Sequence, residues 1–273
     1  MRSLSDEESD AYQANSGKLL NAWHNLQLIT IVSINKDEFY STLKKHLDDY
    51  VKKSLIDEVR MQQIILSINR ALLNYLTSMR TLLDHTETRL KRTFGGTSVE
   101  VNKFKQFTNN AFDSSLSYRF LYKLRNYTQH CGMPFSRVDL DSTIGDRGKE
   151  TAEHQLLVLL NRDELLKNFD SWGPVKTDLE KMPSDFSINN FVTDTTNILT
   201  DLNVLVLNLE YPELREAGKQ VLAIIKGAFS YEGYPCIIER QDFENPDKTN
   251  FGIDWPPLIM LQHLKLVKIK IPE

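Results

Sequence analysis

The stretch from about Leu55 to Phe94 most narrows what this chain can become, because its apolar side chains recur at Leu72, Leu76, Met79 and Leu83. Steps of three and four residues put them on one side of a helix. One long helix, or two nearly continuous ones, is predicted here. Gly95-Gly96 ends it, since glycine accepts the backbone conformation that follows a last helical turn. Further segments have the same period. Phe112 through Tyr127 places Leu116, Phe120, Leu124 and Tyr127 on one stripe, and Ile188 to Lys226 does so with Leu199, Leu202, Val206 and Leu209 until Pro212 interrupts it. Near the start, Asn35-Lys36-Asp37-Glu38 has the form of a capping box, which opens a helix through about Lys53 with Phe39, Leu43 and Leu47 inward. Leu26 to Ile34 fits either a strand by propensity or a helix with Ala22, Trp23, Leu26 and Ile29 on one face, and is read as helix.

Between and after these helices the pattern changes. Asp139 through Glu150, with Gly145 and Gly148, is a polar connector suited to a mobile loop over a site. His154 to Leu160 is a short apolar run read as a strand, Asp163 to Asp170 as a short helix, and Trp172-Gly173-Pro174 and Pro183-Ser184-Asp185 as turns. From Tyr231 the tail is broken by Pro235, Pro246, Pro256 and Pro257. Leu264 to Ile271 alternates like a strand and is expected to pair with Cys236 to Arg240, with acidic Asp242 to Asp247 as a solvated loop. The expected fold is mainly α: an N-terminal helical extension over 1–55, a helical core over 56–230, and a small C-terminal appendage with short strands over 231–273.

At 273 residues and 41% apolar composition, the chain can build one large domain or a core with an appendage. No apolar run approaches the roughly 20 residues needed to span a bilayer. The acidic opening Ser3-Leu4-Ser5-Asp6-Glu7-Glu8 is unlike a signal peptide, so a cytosolic protein without a membrane partner is expected. Cys131 and Cys236 make neither a disulfide framework nor a four-ligand metal set, and no metal or cofactor is expected. A Gly-rich phosphate loop, a Ser/His/Asp order and a paired-carboxylate signature are not found in the C-terminal half.

The net charge of −4 conceals a segregation. Residues 60–137 carry 12 Lys and Arg against 4 Asp and Glu, a local +8, while 1–59 and 138–273 carry −3 and −9. Within the basic third, Arg89, Lys91, Arg92, Lys103, Lys105, Arg119 and Lys123 are candidates to hold a polyanion such as RNA. Internal pairing with the acidic flanks is the other reading of the same numbers.

The basic third ends on Arg125-Asn126-Tyr127-Thr128-Gln129-His130, followed by Cys131-Gly132-Met133-Pro134. Gly132 and Pro134 stop the helix, which leaves His130 in its last turn. Asn126 and His130 are four apart and share a face, with Arg125 turned about 100° away. An imidazole that titrates near neutrality, an amide and a permanent cation are a set suited to attack at a phosphodiester. Chance supplies an Arg-Asn-x3-His pattern about 0.02 times in a chain of this composition, so the pattern carries information. Capping of helix-end carbonyls by Arg and His is the alternative role.

Arg125, Asn126 and His130, near the end of a helix in a mainly helical setting over about 56–230, resemble the HEPN (higher eukaryotes and prokaryotes nucleotide-binding) domain family. That resemblance implies a HEPN-like helical bundle and a metal-independent endoribonuclease, typically assembled as a homodimer, in which Arg125, Asn126 and His130 are catalytic. Many members are toxins or act in defence against phage, which implies an antitoxin or regulatory protein as a further partner. Members modified by a partner nucleotidyltransferase carry Tyr two residues after the His; Gly132 stands there in this chain. The other function class is a noncatalytic HEPN-like module that binds nucleotide, RNA or protein.

A second Arg-x4-His runs from Arg80 to His85, with Thr81 where the first motif has Asn126. Asn74, Ser78, Thr81, His85 and Thr88 follow a three-and-four series and are expected to form a polar seam facing the motif helix, with Asn74, Arg80 and His85 in support. His85 is expected to make a hydrogen bond across the bundle.

Overall fold

The computed structural model describes residues 3–53, 57–135, 137–143, 153–230, 233–241 and 250–268. The first helix, α1 (Asp6–Lys53), begins at a reciprocal cap: Ser5 Oγ accepts from the Glu8 amide at 3.2 Å, and Glu8 Oε2 accepts from the Ser5 amide at 3.1 Å. The helix then runs without a break through Asn35, so the expected start at Asn35 is corrected. The polar groups there serve packing instead. Asn35 donates to the Asn74 carbonyl at 3.4 Å and Glu38 pairs with Arg70 at 2.7 Å. Leu26 to Ile34 is helical, as read.

Helix α2 (Glu58–Phe94) is single, capped by Asp57, which accepts from the Arg60 amide at 2.7 Å. Gly95 ends it with φ of 91°, a conformation only glycine adopts without strain. All four expected stripe residues, Leu72, Leu76, Met79 and Leu83, are buried. Next come α3 (Val99–Ser114) and α4 (Leu116–His130), separated by the single residue Ser115, whose side chain accepts from the Tyr118 amide at 3.2 Å. The motif helix therefore starts at Leu116, and Phe112 belongs to α3. Gly132, with φ of 122°, lies just past the end of α4.

Strand β1 (Arg137–Thr143) pairs antiparallel with β2 (Glu153–Asn161), and β2 with the short β3 (Asp185–Ser187). The connector expected as a loop from Asp139 thus begins as a strand; Gly145, Gly148 and Glu150 lie outside the described residues. β2 meets the strand expectation for His154 to Leu160. Helices α5 (Arg162–Asn168) and α6 (Val175–Lys181) stand on either side of the Trp172 turn. The long α7 (Asn189–Ile225) contains Pro212 without ending there, contrary to expectation, and passes into a 3₁₀ turn at Lys226–Ser230.

The C-terminal strands are β4 (Ile237–Gln241) and β5 (Asn250–Asp254), paired with each other in register Ile238↔Ile253. The expected partner, Leu264 to Ile271, is not a strand over its described part. Residues 264–266 fold back on α8 (Leu258–His263) through amides that bond Met260, Gln262 and Leu261 carbonyls. Asp242 to Asp247 and Ile269 to Ile271 lie outside the described residues. The class is mainly α with a small β part.

Two compact units divide the chain: 27–205, and 1–26 with 206–273. These divisions fall elsewhere than the expected boundaries at 55 and 230, because α1 and α7 each contribute to both units. In the first, Tyr75 is fully buried and its hydroxyl donates to the Val192 carbonyl at 3.1 Å, with Thr196 Oγ1 at 2.9 Å. Asn189 joins sheet to helix: it accepts from the Val158 amide at 3.2 Å and donates to the Leu156 carbonyl at 3.0 Å. In the second unit Tyr12, Leu19 and Ala22 pack with Ala217, Val221, Met260 and Leu261. Gly218 permits that closure, since a Cβ there would lie 2.6 Å from Leu266 Cδ1.

Candidate active site

Aromatic packing sets the position of α4. Its buried side carries Phe120, Leu121, Leu124 and Tyr127, and Trp172, fully buried, stacks at 5.9 Å on both Phe120 and Tyr127. Phe169, Phe186 and Phe191 close the cluster edge-on. Trp172 also donates its indole N–H to the Leu165 carbonyl at 3.0 Å. With that side committed to the core, the opposite face of α4 presents Tyr122, Arg125, Asn126, Gln129 and His130.

Arg125 and Asn126 are half-buried, while Gln129 and His130 are exposed. Arg125 Nη1 donates to Gln129 Oε1 one turn ahead. That contact carries the guanidinium forward to the last turn, where His130 stands. Arg125 Nε is buried and has no hydrogen-bond partner among the described residues. Asn126 sits one turn before His130 on the same face. The structure therefore brings the three motif residues to one end of one helix. Next to them, the Cys131 thiol donates to the Asn168 carbonyl at 3.1 Å and the Cys131 amide closes the helix on Tyr127 at 2.8 Å.

Two links set α2 against α4 and the segment that follows it. Asn69 donates to the Phe135 carbonyl at 3.1 Å, and Arg80 Nη1 donates to the Tyr122 hydroxyl. The helices are antiparallel, so residues late in α2 lie beside the start of α4. His85 is consequently displaced along the axis from His130 by on the order of 20 Å, at 1.5 Å per residue. His85 and Asn74 are also turned roughly 120 to 140° around α2 from Arg80. Both are exposed, as is Thr88, and Asn74 lies on the side that meets α1. The expected seam facing α4 is thus a solvated one, and among the described residues the expected cross-bundle bond of His85 does not form. Ser78, the buried member, bonds its own helix at the Tyr75 carbonyl.

Arg80 does meet α4. Its guanidinium lies 4.8 Å from the centre of the Tyr122 ring, and its Nε donates to Asp84 at 2.9 Å. Burial opposes its charge, but Tyr122 and Asp84 more than offset this and raise its pKa above the ordinary value. Tyr122 was not marked by reading the sequence, although its spacing to Asn126 and His130, four and eight residues, was visible there.

The other expected RNA contacts separate into two groups. Arg119 is committed to Asp178 by a forked pair at 2.7 and 3.0 Å, and Lys123 Nζ donates to the Ser171 carbonyl at 3.1 Å. Arg89 is half-buried, and Lys91 pairs with Glu87 at 2.7 Å while remaining exposed. Arg92, Lys103 and Lys105 are exposed at the end of α2 and on α3. No group of His, Cys, Asp and Glu among the described residues has a metal-binding arrangement. No described helix is long and apolar enough to cross a membrane. Comparison with models of protein families, with curated proteins and with solved structures finds no match.

Proposed function

We propose that this protein is a metal-independent endoribonuclease of HEPN type, a toxin or phage-defence effector in the cytoplasm, with Arg125, Asn126 and His130 as its catalytic set. The observation that carries this reading is the placement of the Arg125 head, through Gln129, in the same last turn as the exposed His130. His130 moves a proton to or from the attacking 2′-hydroxyl or the leaving oxygen. Arg125 supplies charge where the phosphorane becomes more negative, and Asn126 orients the phosphate.

The active assembly on this reading is a homodimer, since one exposed imidazole serves one of two proton transfers and a second copy supplies the other. An antitoxin or regulatory protein is the further partner, and RNA is the substrate.

The test is incubation of the purified chain with total cellular RNA in EDTA, beside His130→Ala, Arg125→Ala and His85→Ala. Cleavage is expected from the wild type and from His85→Ala. The other two are expected to lose it while staying folded, His130→Ala with an unchanged melting temperature, as His130 is exposed and surface substitutions usually stay within about 0.5 kcal/mol. Full cleavage by folded His130→Ala would overturn the assignment. RNA binding without cleavage in the wild type would leave the noncatalytic module.

A further inference from the structure

Tyr122, Asn126 and His130 form one row along α4, stepping about 6 Å and turning about 40° at each interval of four residues. The row spans roughly 12 Å, more than a single phosphate needs. Arg80 reaches its first position from α2. Tyr122 holds that guanidinium by its hydroxyl and by its ring, and Asp84 holds the Nε edge. The Arg80 side chain, ion-paired with Asp84 through Nε at 2.9 Å, remains 30% exposed, so the part of its guanidinium not engaged by Asp84 and Tyr122 is open to a ligand one turn before Asn126. Tyr122 itself cannot serve as a platform for a base: Arg80 covers its ring, Tyr118 stacks beside it at 6.5 Å, and Phe112 meets it edge-on at 6.0 Å. Its surroundings suit it to orient Arg80.

We infer that Arg80, oriented by Tyr122, binds the phosphate adjacent to the one that is cleaved, so that the site takes a single RNA strand along α4 over at least two successive phosphates. This rests on the nuclease reading for the identity of the strand and for its direction towards His130. Arg80 is then a binding residue and Tyr122 a positioning residue. A planar guanidinium suits this work better than a lysine, because Asp84 and Tyr122 can fix it through Nε and Nη1 while Nη2 stays available as a donor to a phosphate oxygen.

The experiment uses the full chain with His130→Ala, which keeps the strand intact, and a short labelled oligoribonucleotide. Affinity is measured between about 50 and 200 mM salt, where each phosphate contact to a single strand contributes about 0.7 to the slope of log K against log salt. Arg80→Gln added to that background is expected to lower the slope by about 0.7. Arg80→Lys should retain the slope, and Tyr122→Phe should weaken binding less than Arg80→Gln does. Melting temperatures identify any variant that fails to fold; should Arg80→Gln do so, Tyr122→Phe decides by whether affinity falls. Unchanged affinity and slope overturn the inference while cleavage by the wild type keeps the nuclease reading. A reduced slope with no wild-type cleavage sinks the nuclease reading and cuts the inference back to Arg80 as a phosphate contact of a strand that is bound and not cut. An absence of binding by the parent overturns both.

Discussion

Arg80-x4-His85 and Arg125-x4-His130 are nearly alike as strings, and side-chain surroundings separate them. Arg80 is turned to Tyr122 and Asp84, whereas Arg125 is turned to Gln129 beside its own histidine. The spacing of the second motif was legible from the sequence; the turn of Arg80 towards Tyr122 was not, because Tyr122 lies in another helix. Burial likewise sets the behaviour of Tyr12, whose pKa is pushed up from 10.0 to about 12 chiefly by desolvation. Ser16 and Asp254 are near enough to influence it, yet its hydroxyl has no hydrogen bond of good geometry. Such a phenol stays protonated in the folded chain while the unfolded one ionises. The stability this contributes is whole below pH 10 and is lost as pH rises through about 12. Tyr12→Phe is expected to move the alkaline unfolding midpoint upward, followed by circular dichroism against pH. An unmoved midpoint would assign alkaline unfolding to other groups, of which Tyr75 and Tyr118 are also raised, chiefly by burial.

At the scale of elements, Pro212 shows how far tertiary packing can override a local signal. It removes a backbone donor and crowds the preceding turn, which normally ends or bends a helix. In α7 the helix continues, since Val206 before it and Leu214, Ala217 and Val221 after it are all buried and hold both parts in place. Pro212 is itself exposed. Pro212→Ala therefore restores a donor without removing core packing. The variant should be more stable by roughly 1–3 kcal/mol, the upper end being the full interior-proline penalty before any gain in unfolded-state entropy is subtracted. Thermal melting reads this, and a lowered melting temperature would show that the proline ring itself is needed for packing. Asn35 is the converse case. Its capping-box string was a correct local pattern with no helix start to serve, while Ser5 to Glu8 had the same form and did cap α1.

At the scale of the molecule, the proposed chemistry asks for a second imidazole, and His85 is about 20 Å from His130 along the helix axes. A second copy of the chain remains the source on this reading. Sedimentation at micromolar concentration is expected to give a dimer, and mixing Arg125→Ala with His130→Ala is expected to change activity only if the two copies share a site. A fully active monodisperse monomer would contradict the arrangement.

The sequence by itself determined the mainly helical class, the α2 stripe, the stop at Gly132 and the grouping of Arg125, Asn126 and His130 on the last two turns of one helix. Each of these depends on contacts within a few residues, where the period of 3.6 and the conformational freedom of glycine leave little choice. Only the tertiary structure decided that α1 runs unbroken, that β4 pairs with β5 rather than with the tail, and that Leu264 and Leu266 close against α7 at Gly218. It also decided that Arg119 is spent on Asp178 and that Arg80 reaches Tyr122 on the face of the motif. Those outcomes depend on partners distant in sequence, where a carboxylate, a ring or a missing Cβ supplies energy that no local pattern contains.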